Sequence, residues 1–132
     1  MYHASKLLLG ESNLRMAVER CYASGCQAME QGDSDLAARL FGMMAVAAPR
    51  DERGWLGLAQ LREHCGELST AAGLLQLGAV LAAKPAHCHL KRAKVLRDAG
   101  RNQAADRSLD EAESADDDAE FGAAIEQERS RS

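Results

Sequence analysis

The chain has 132 residues, of which 46% are hydrophobic, 27% are charged and only 4% are aromatic, and its formal net charge is −4. An acidic chain argues against a nucleic-acid binder, because such proteins usually carry a basic domain. The length suits one domain over residues 1–132. No apolar run approaches the roughly 20 residues of a membrane-spanning helix, so we expect no stable membrane insertion.

The first predicted element is a leading helix over residues 3–15, with Leu7, Leu8 and Leu14 on its apolar face. Its leucine run is too short for the hydrophobic region of a signal peptide, and Glu11 follows closely. The four cysteines lack the density of a disulfide scaffold. We therefore expect a cytoplasmic protein whose cysteines are reduced.

Beyond the leading helix, the chain repeats itself every 34 residues. The period is seen in Gly32, Gly66 and Gly100, in Gly25, Ala59 and Ala93, in Ala37, Ala71 and Ala105, and in Phe41, Leu75 and Leu109. A period of 34 is typical of the tetratricopeptide repeat, a helix–turn–helix unit. Gly32 and its equivalents then end the first helix of each pair, where a left-handed residue without a Cβ is favoured.

The repeat frame predicts units at residues 18–51, 52–85 and 86–119, and a terminal helix at residues 118–129. Trp55 occupies the position where the repeat pattern has tryptophan, and Pro49 ends the first unit. The second unit has Ala83 where proline is expected, and its proline comes later, at Pro85. The predicted fold class is all-α: a tetratricopeptide-repeat superhelix of three helix–turn–helix repeats with flanking N- and C-terminal helices.

Stacked helix pairs form a solenoid with a concave surface, which in tetratricopeptide proteins is lined by the first helix of each pair. Positions 2, 5, 9 and 12 of a repeat share one face of that helix. The face mixes apolar and hydrogen-bonding side chains, which suits an extended peptide with a few apolar anchors. We predict a peptide-binding groove containing Tyr22, Cys26, Met29, Leu56, Gln60, Glu63, Leu90, Lys94 and Arg97. The alternative is that some of these side chains bury against the leading or terminal helix.

The histidines and cysteines form no convincing metal site. His87, Cys88 and His89 are consecutive, but neighbouring residues on a helix point about 100° apart and cannot converge on one ion. The chain has no Cys-x-x-Cys pair, phosphate loop or dinucleotide fingerprint. We expect no catalytic site, no metal and no cofactor, and an enzyme or metal protein that uses this cluster is the alternative.

Two stretches resemble the class II chaperones of bacterial type III secretion systems. Residues 51–68, DERGWLGLAQLREHCGEL, are similar to the middle repeat of those chaperones, and residues 77–105 to the segment that follows it. The resemblance implies a cytoplasmic, non-enzymatic chaperone that holds a hydrophobic translocator in its concave groove and keeps it soluble before export. It also implies that the leading helix can mediate a homodimer.

Other partners remain open at this point. Small repeat proteins of the same secretion systems chaperone the needle subunit or another export component, and a general tetratricopeptide scaffold joins cellular proteins without export. Some tetratricopeptide domains clamp the C-terminal carboxylate of heat-shock chaperones, with Lys and Asn at positions 5 and 9 of the first repeat. Those positions hold Tyr22 and Cys26 here, which argues against such a clamp.

Overall fold

Seven α-helices follow one another in the computed structural model, which describes residues 2–131, with side chains from residue 10 onward. They are α1 (Tyr2–Glu30), α2 (Ser34–Ala47), α3 (Glu52–His64), α4 (Leu68–Leu81), α5 (Ala86–Asp98), α6 (Asn102–Ala115) and α7 (Gly122–Arg129). Each helix packs against the next, and α1, α3, α5 and α7 also contact one another in succession. This arrangement confirms the predicted all-α tetratricopeptide superhelix. None of the helices within residues 2–131 combines the length and the apolar character needed to cross a membrane.

Left-handed glycines end the first helix of each of the three pairs, as predicted. The φ angles of Gly32, Gly66 and Gly100 are +77°, +79° and +79°, a conformation in which a Cβ is strained. In the first turn, the N–H of Asp33 donates to the carbonyl oxygen of Ala28 at 2.8 Å. Equivalent bonds close the other two turns. This is the Schellman arrangement, and it reverses the chain so that the second helix of each pair packs on the first.

The predicted leading helix is not a separate element, and the boundary placed after residue 15 is wrong. One continuous helix, α1, runs from Tyr2 to Glu30. No glycine or proline occurs in residues 11–24, so nothing in that segment ends the helix. Of the predicted apolar face, Leu14 is 45% exposed. The side chains of Leu7 and Leu8 lie outside the described residues.

The junction between the first two repeats is held by polar contacts to the backbone. The side chain of Asp51 accepts a hydrogen bond from the N–H of Arg53 at 3.0 Å, so Asp51 is the N-cap of α3. The indole N–H of Trp55 donates to the carbonyl oxygen of Pro49 at 3.0 Å. The N–H of Ala83, at the position where proline was expected, donates to the carbonyl oxygen of Arg50 at 2.8 Å. Proline has no N–H and could not make this bond.

The terminal helix begins later than predicted, at Gly122 and not at residue 118. The carboxylate of Asp116 accepts hydrogen bonds from the N–H groups of Glu120 and Phe121, both at 2.9 Å. Ala119 has a φ of +53°, which is incompatible with a right-handed helix. The segment between α6 and α7 is therefore a turn closed by Asp116, and α7 starts after it.

Candidate peptide-binding groove

An open cavity of about 440 Å³ lies between α1, α3 and the start of α5. It is lined by Tyr22, Cys26, Met29 and Glu30 from α1, Phe41 from α2, Arg53, Leu56, Gly57, Gln60 and His64 from α3, and His87 and Lys91 from α5. We call this cavity the groove. Apolar side chains form much of its lining, and the charged side chains of Glu30, Arg53 and Lys91 lie between them.

Phe41 lies beneath the groove, and it fits there because two glycines face its ring. Phe41 is only 1% exposed. A Cβ added at Gly25 would lie 2.9 Å from Phe41 Cε1, and one added at Gly57 would lie 2.6 Å from Phe41 Cγ. Carbon atoms prefer separations of about 3.5–4.0 Å. The glycines therefore let α1 and α3 close on the ring from two sides.

Arg53 joins α3 to α1 along one wall of the groove. Its Nη2 atom lies 2.6 Å from Glu19 Oε1 and 2.7 Å from Asp51 Oδ2. The hydrogen bonds from Arg53 lower the pKa of the Glu19 and Asp51 carboxyls, so both stay ionised at neutral pH. The guanidinium carbon also lies 4.4 Å from the centre of the Tyr22 ring, within the range of a cation–π contact. These contacts hold the Tyr22 ring in place as part of the wall.

Tyr22 and Cys26 interact within the groove, one helical turn apart on α1. The hydrogen bond with Cys26 is the main cause of a raised pKa of the Tyr22 phenol, and burial adds to it. The phenol therefore stays protonated at neutral pH. The Tyr22 ring also meets the Phe41 ring in a tilted arrangement, with centroids 6.5 Å apart.

The predicted groove residues divide into three groups. Those that line the groove are Tyr22, Cys26, Met29, Leu56 and Gln60. Glu63 and Lys94 are half-buried and lie outside its lining. The third group consists of Leu90 and Arg97, for which the predicted place on an open face is wrong.

Leu90 and Arg97 are buried for different reasons. Leu90 is 3% exposed because it belongs to a core cluster with Ile125 of α7. Arg97 is 8% exposed, and its Nη2 donates to Asp106 Oδ1 at 2.9 Å. The terminal helix therefore covers Leu90, which is the third-repeat equivalent of Tyr22 and Leu56. As a result, the groove is built mainly by the first two repeats.

Several groove residues were missed by the sequence argument. His64 and Lys91 lie four residues after Gln60 and His87, so they follow them on the same helix faces. The sequence signal for both is their spacing of four residues from positions 9 and 2 of their repeats. Gly57 carried no such signal, because it contributes to the groove only by having no Cβ, which leaves room for the Phe41 ring.

His87, Cys88 and His89 lie in three different environments. The His87 ring stacks on Phe121 with centroids 5.0 Å apart, Cys88 is 0% exposed, and His89 Nδ1 lies 3.1 Å from a Glu111 carboxylate oxygen. Burial raises the pKa of Cys88 to about 12, so its thiol stays protonated. Among the described residues, no three His, Cys, Asp or Glu side chains are grouped so as to hold a metal ion.

The fold and the groove together define a tetratricopeptide-type domain, and solved structures agree. No protein-family model matches the chain, and no curated protein does. The Yersinia enterocolitica type III secretion chaperone SycD, in complex with a peptide of the translocator YopD, is similar with a TM-score of 0.72 and 24% identity, covering 85% of this chain and 86% of that chain. PcrH, in complex with the chaperone binding region of PopD, gives a TM-score of 0.68 and 22% identity over 89% and 94% of the two chains. The TPR2B domain of yeast Sti1, in a complex with pHsp70, gives 0.75 and 18% over 86% and 93%.

Proposed function

We propose that this chain is a non-enzymatic chaperone of a type III secretion system, which acts in the cytoplasm. It holds an extended segment of an exported hydrophobic subunit, a translocator, in the groove and keeps that subunit soluble and competent for secretion. The observation that carries the proposal is the open groove itself, with the apolar side chains of Tyr22, Met29 and Leu56 on its walls. Such a surface suits a peptide with a few apolar anchors.

Two structural neighbours support this choice of client. SycD was solved with a peptide of the translocator YopD, and PcrH with the chaperone binding region of PopD. The resemblance of residues 51–68 to the middle repeat of class II chaperones points in the same direction. A needle subunit or another export component is the second class of client, since it would use the same groove.

The apolar anchors that the groove can bury set how tightly it binds a client. Burying one large apolar side chain contributes roughly 1.5–3 kcal/mol, so three anchors contribute roughly 5–9 kcal/mol. Ordering an extended client segment offsets several kcal/mol of this, and backbone and side-chain hydrogen bonds add to what remains. Only this surplus appears as affinity, so we expect modest binding, which allows the client to be released for export.

Co-expression with candidate secreted subunits tests the proposal. Gln60 is exposed on the groove side of α3, and Gln76 is exposed on α4 outside the groove lining. A bulky ring at residue 60 obstructs the groove, whereas the same change at residue 76 does not. We expect wild type and Gln76→Trp to raise the soluble fraction of the client, and Gln60→Trp not to. Absence of any stabilised subunit, or equal protection by both variants, contradicts the proposal.

A general scaffold that joins cellular proteins without export is the second candidate, favoured by the likeness to the Sti1 domain. Tyr22 and Cys26 occupy the positions where a carboxylate clamp has Lys and Asn. A pull-down from the native host followed by mass spectrometry separates the candidates. Capture of an exported subunit through a contact that Gln60→Trp abolishes supports the chaperone, and capture of only non-exported proteins in the same way supports the scaffold.

We also propose that α1 mediates a homodimer through its N-terminal half. Residues 10–17 are all exposed, and Leu14 and Met16 are 45% and 53% exposed. Light scattering coupled to size-exclusion chromatography measures the mass. We expect a dimer for wild type and a monomer for Leu14→Glu with Met16→Glu, while a monomeric wild type overturns this proposal.

A further inference from the structure

A second cavity, of about 400 Å³, adjoins the groove at the first turn of α5. It is lined by Glu52, by residues 83–87 and by residues of the turn between α6 and α7. His87 lines both cavities, and Glu52 in the second is next in the chain to Arg53 in the groove. A polypeptide that leaves the groove toward α7 therefore enters the second cavity.

Carboxylates dominate the second cavity. Its charged residues are Glu52, Asp116, Asp117, Asp118, Glu120 and Lys84. Asp116 is engaged in closing the turn before α7. Across residues 10–131, none of the other four carboxylates has a basic side chain within 4.0 Å. Their negative charge is therefore available to a ligand.

The backbone adds to this negative potential. Asp117 and Asp118 come just after the C-terminus of α6, where a helix carries a partial negative charge. Both side chains are exposed, and carboxylates at this end do not compensate the helix dipole. Burial, with the charge of Lys91, lowers the pKa of His87, so His87 supplies no positive charge at neutral pH.

We propose that the client segment held in the groove carries lysine or arginine residues directly beside its apolar anchors, on the side that lies over the turn between α6 and α7. This inference rests on the proposed function and adds the chemistry of the client. The apolar part supplies most of the affinity. The charges set the direction, because only one orientation of the peptide places its basic residues beside the carboxylates of the second cavity.

Panning a phage-displayed library of short random peptides tests this inference. The targets are wild type, Gln60→Trp, the double variant Asp117→Asn with Asp118→Asn, and a control, Glu11→Gln with Asp35→Asn, which also removes two exposed carboxylates outside both cavities. We expect wild type and the control to enrich peptides with apolar residues beside Lys or Arg. The Asp117/Asp118 variant should keep the apolar preference and lose the basic one.

A synthetic copy of the most enriched peptide gives the magnitude. We expect the Asp117/Asp118 variant to bind it about fivefold more weakly than the control does, as for two exposed ion pairs, and the difference to shrink at high salt. Apolar enrichment without a basic preference, or a basic preference that survives in the double variant, overturns the inference and leaves the proposed function standing. Equal selection by wild type and Gln60→Trp overturns the proposed function itself, and the inference with it.

Discussion

Replacement of Gly57 by alanine tests how the base of the groove is built. The added Cβ would lie 2.6 Å from Phe41 Cγ and 2.7 Å from both Phe41 Cδ atoms. The ring has little room to move toward α1, because it already packs so closely on Gly25 that an added Cβ there would lie 2.9 Å from Phe41 Cε1. The substitution therefore forces either the ring or α3 to shift.

Two opposing effects set the size of the change. Removing a glycine from a helix interior stabilises the fold by about 0.8–1.0 kcal/mol. Overpacking a filled core costs typically about 1–3 kcal/mol, and the clamped ring places Gly57 in the upper part of that range. We expect Gly57→Ala to lower the free energy of unfolding by about 1–2 kcal/mol. Gly73→Ala is the matched control, because a Cβ at residue 73 of α4 meets nothing within 4 Å, and it should stabilise the fold.

Urea unfolding followed by far-UV circular dichroism measures both changes. A double-mutant cycle with Phe41→Leu isolates the contact, since the equivalent positions of the other repeats carry Leu75 and Leu109. We expect Gly57→Ala to cost at least about 1 kcal/mol less when residue 41 is leucine. Additivity of the two substitutions within about 0.5 kcal/mol would show that the residues do not couple and would refute the steric argument.

Three further predictions concern other contacts. Trp55→Phe removes the hydrogen bond to Pro49 and should cost about 1 kcal/mol in urea unfolding, whereas an unchanged midpoint would show that the bond contributes nothing. Burial and the charge of Lys91 lower the pKa of His87 in the folded state, so the unfolded state binds more protons below pH 6.5 and stability falls as the pH drops. In thermal melts at several pH values, the melting temperature of His87→Gln should depend less on pH than that of wild type. An equal pH dependence contradicts this assignment. Arg97→Met should leave the free energy of unfolding in urea unchanged or raise it, because Arg97 is buried with Nε and Nη1 unpaired. A decrease of several kcal/mol in that free energy would show that the ion pair of Arg97 stabilises the fold.

The turns and helix pairs could be predicted from the sequence because their causes are local. Gly32, Gly66 and Gly100 recur every 34 residues, and each takes the left-handed conformation that reverses the chain. Asp51 precedes α3 and caps it. Such features depend on a residue and its near neighbours, so the period identified the fold class, the helix pairs and the side of the array on which the groove lies.

Contacts between distant segments of the chain decide which part of the groove side of the array remains open. Tyr22, Leu56 and Leu90 occupy the same repeat position, yet only Leu90 is in the core. Its burial follows from the packing of Ile125, on the helix after the Asp116 turn, against the third repeat. Likewise, no repeat pattern shows that Phe41 fills the space left by Gly25 on one helix and Gly57 on another. The 34-residue period is enough to predict the array and its periodic faces. Which face stays uncovered depends on the packing of helices that are far apart in the chain, so it is visible only in the folded molecule.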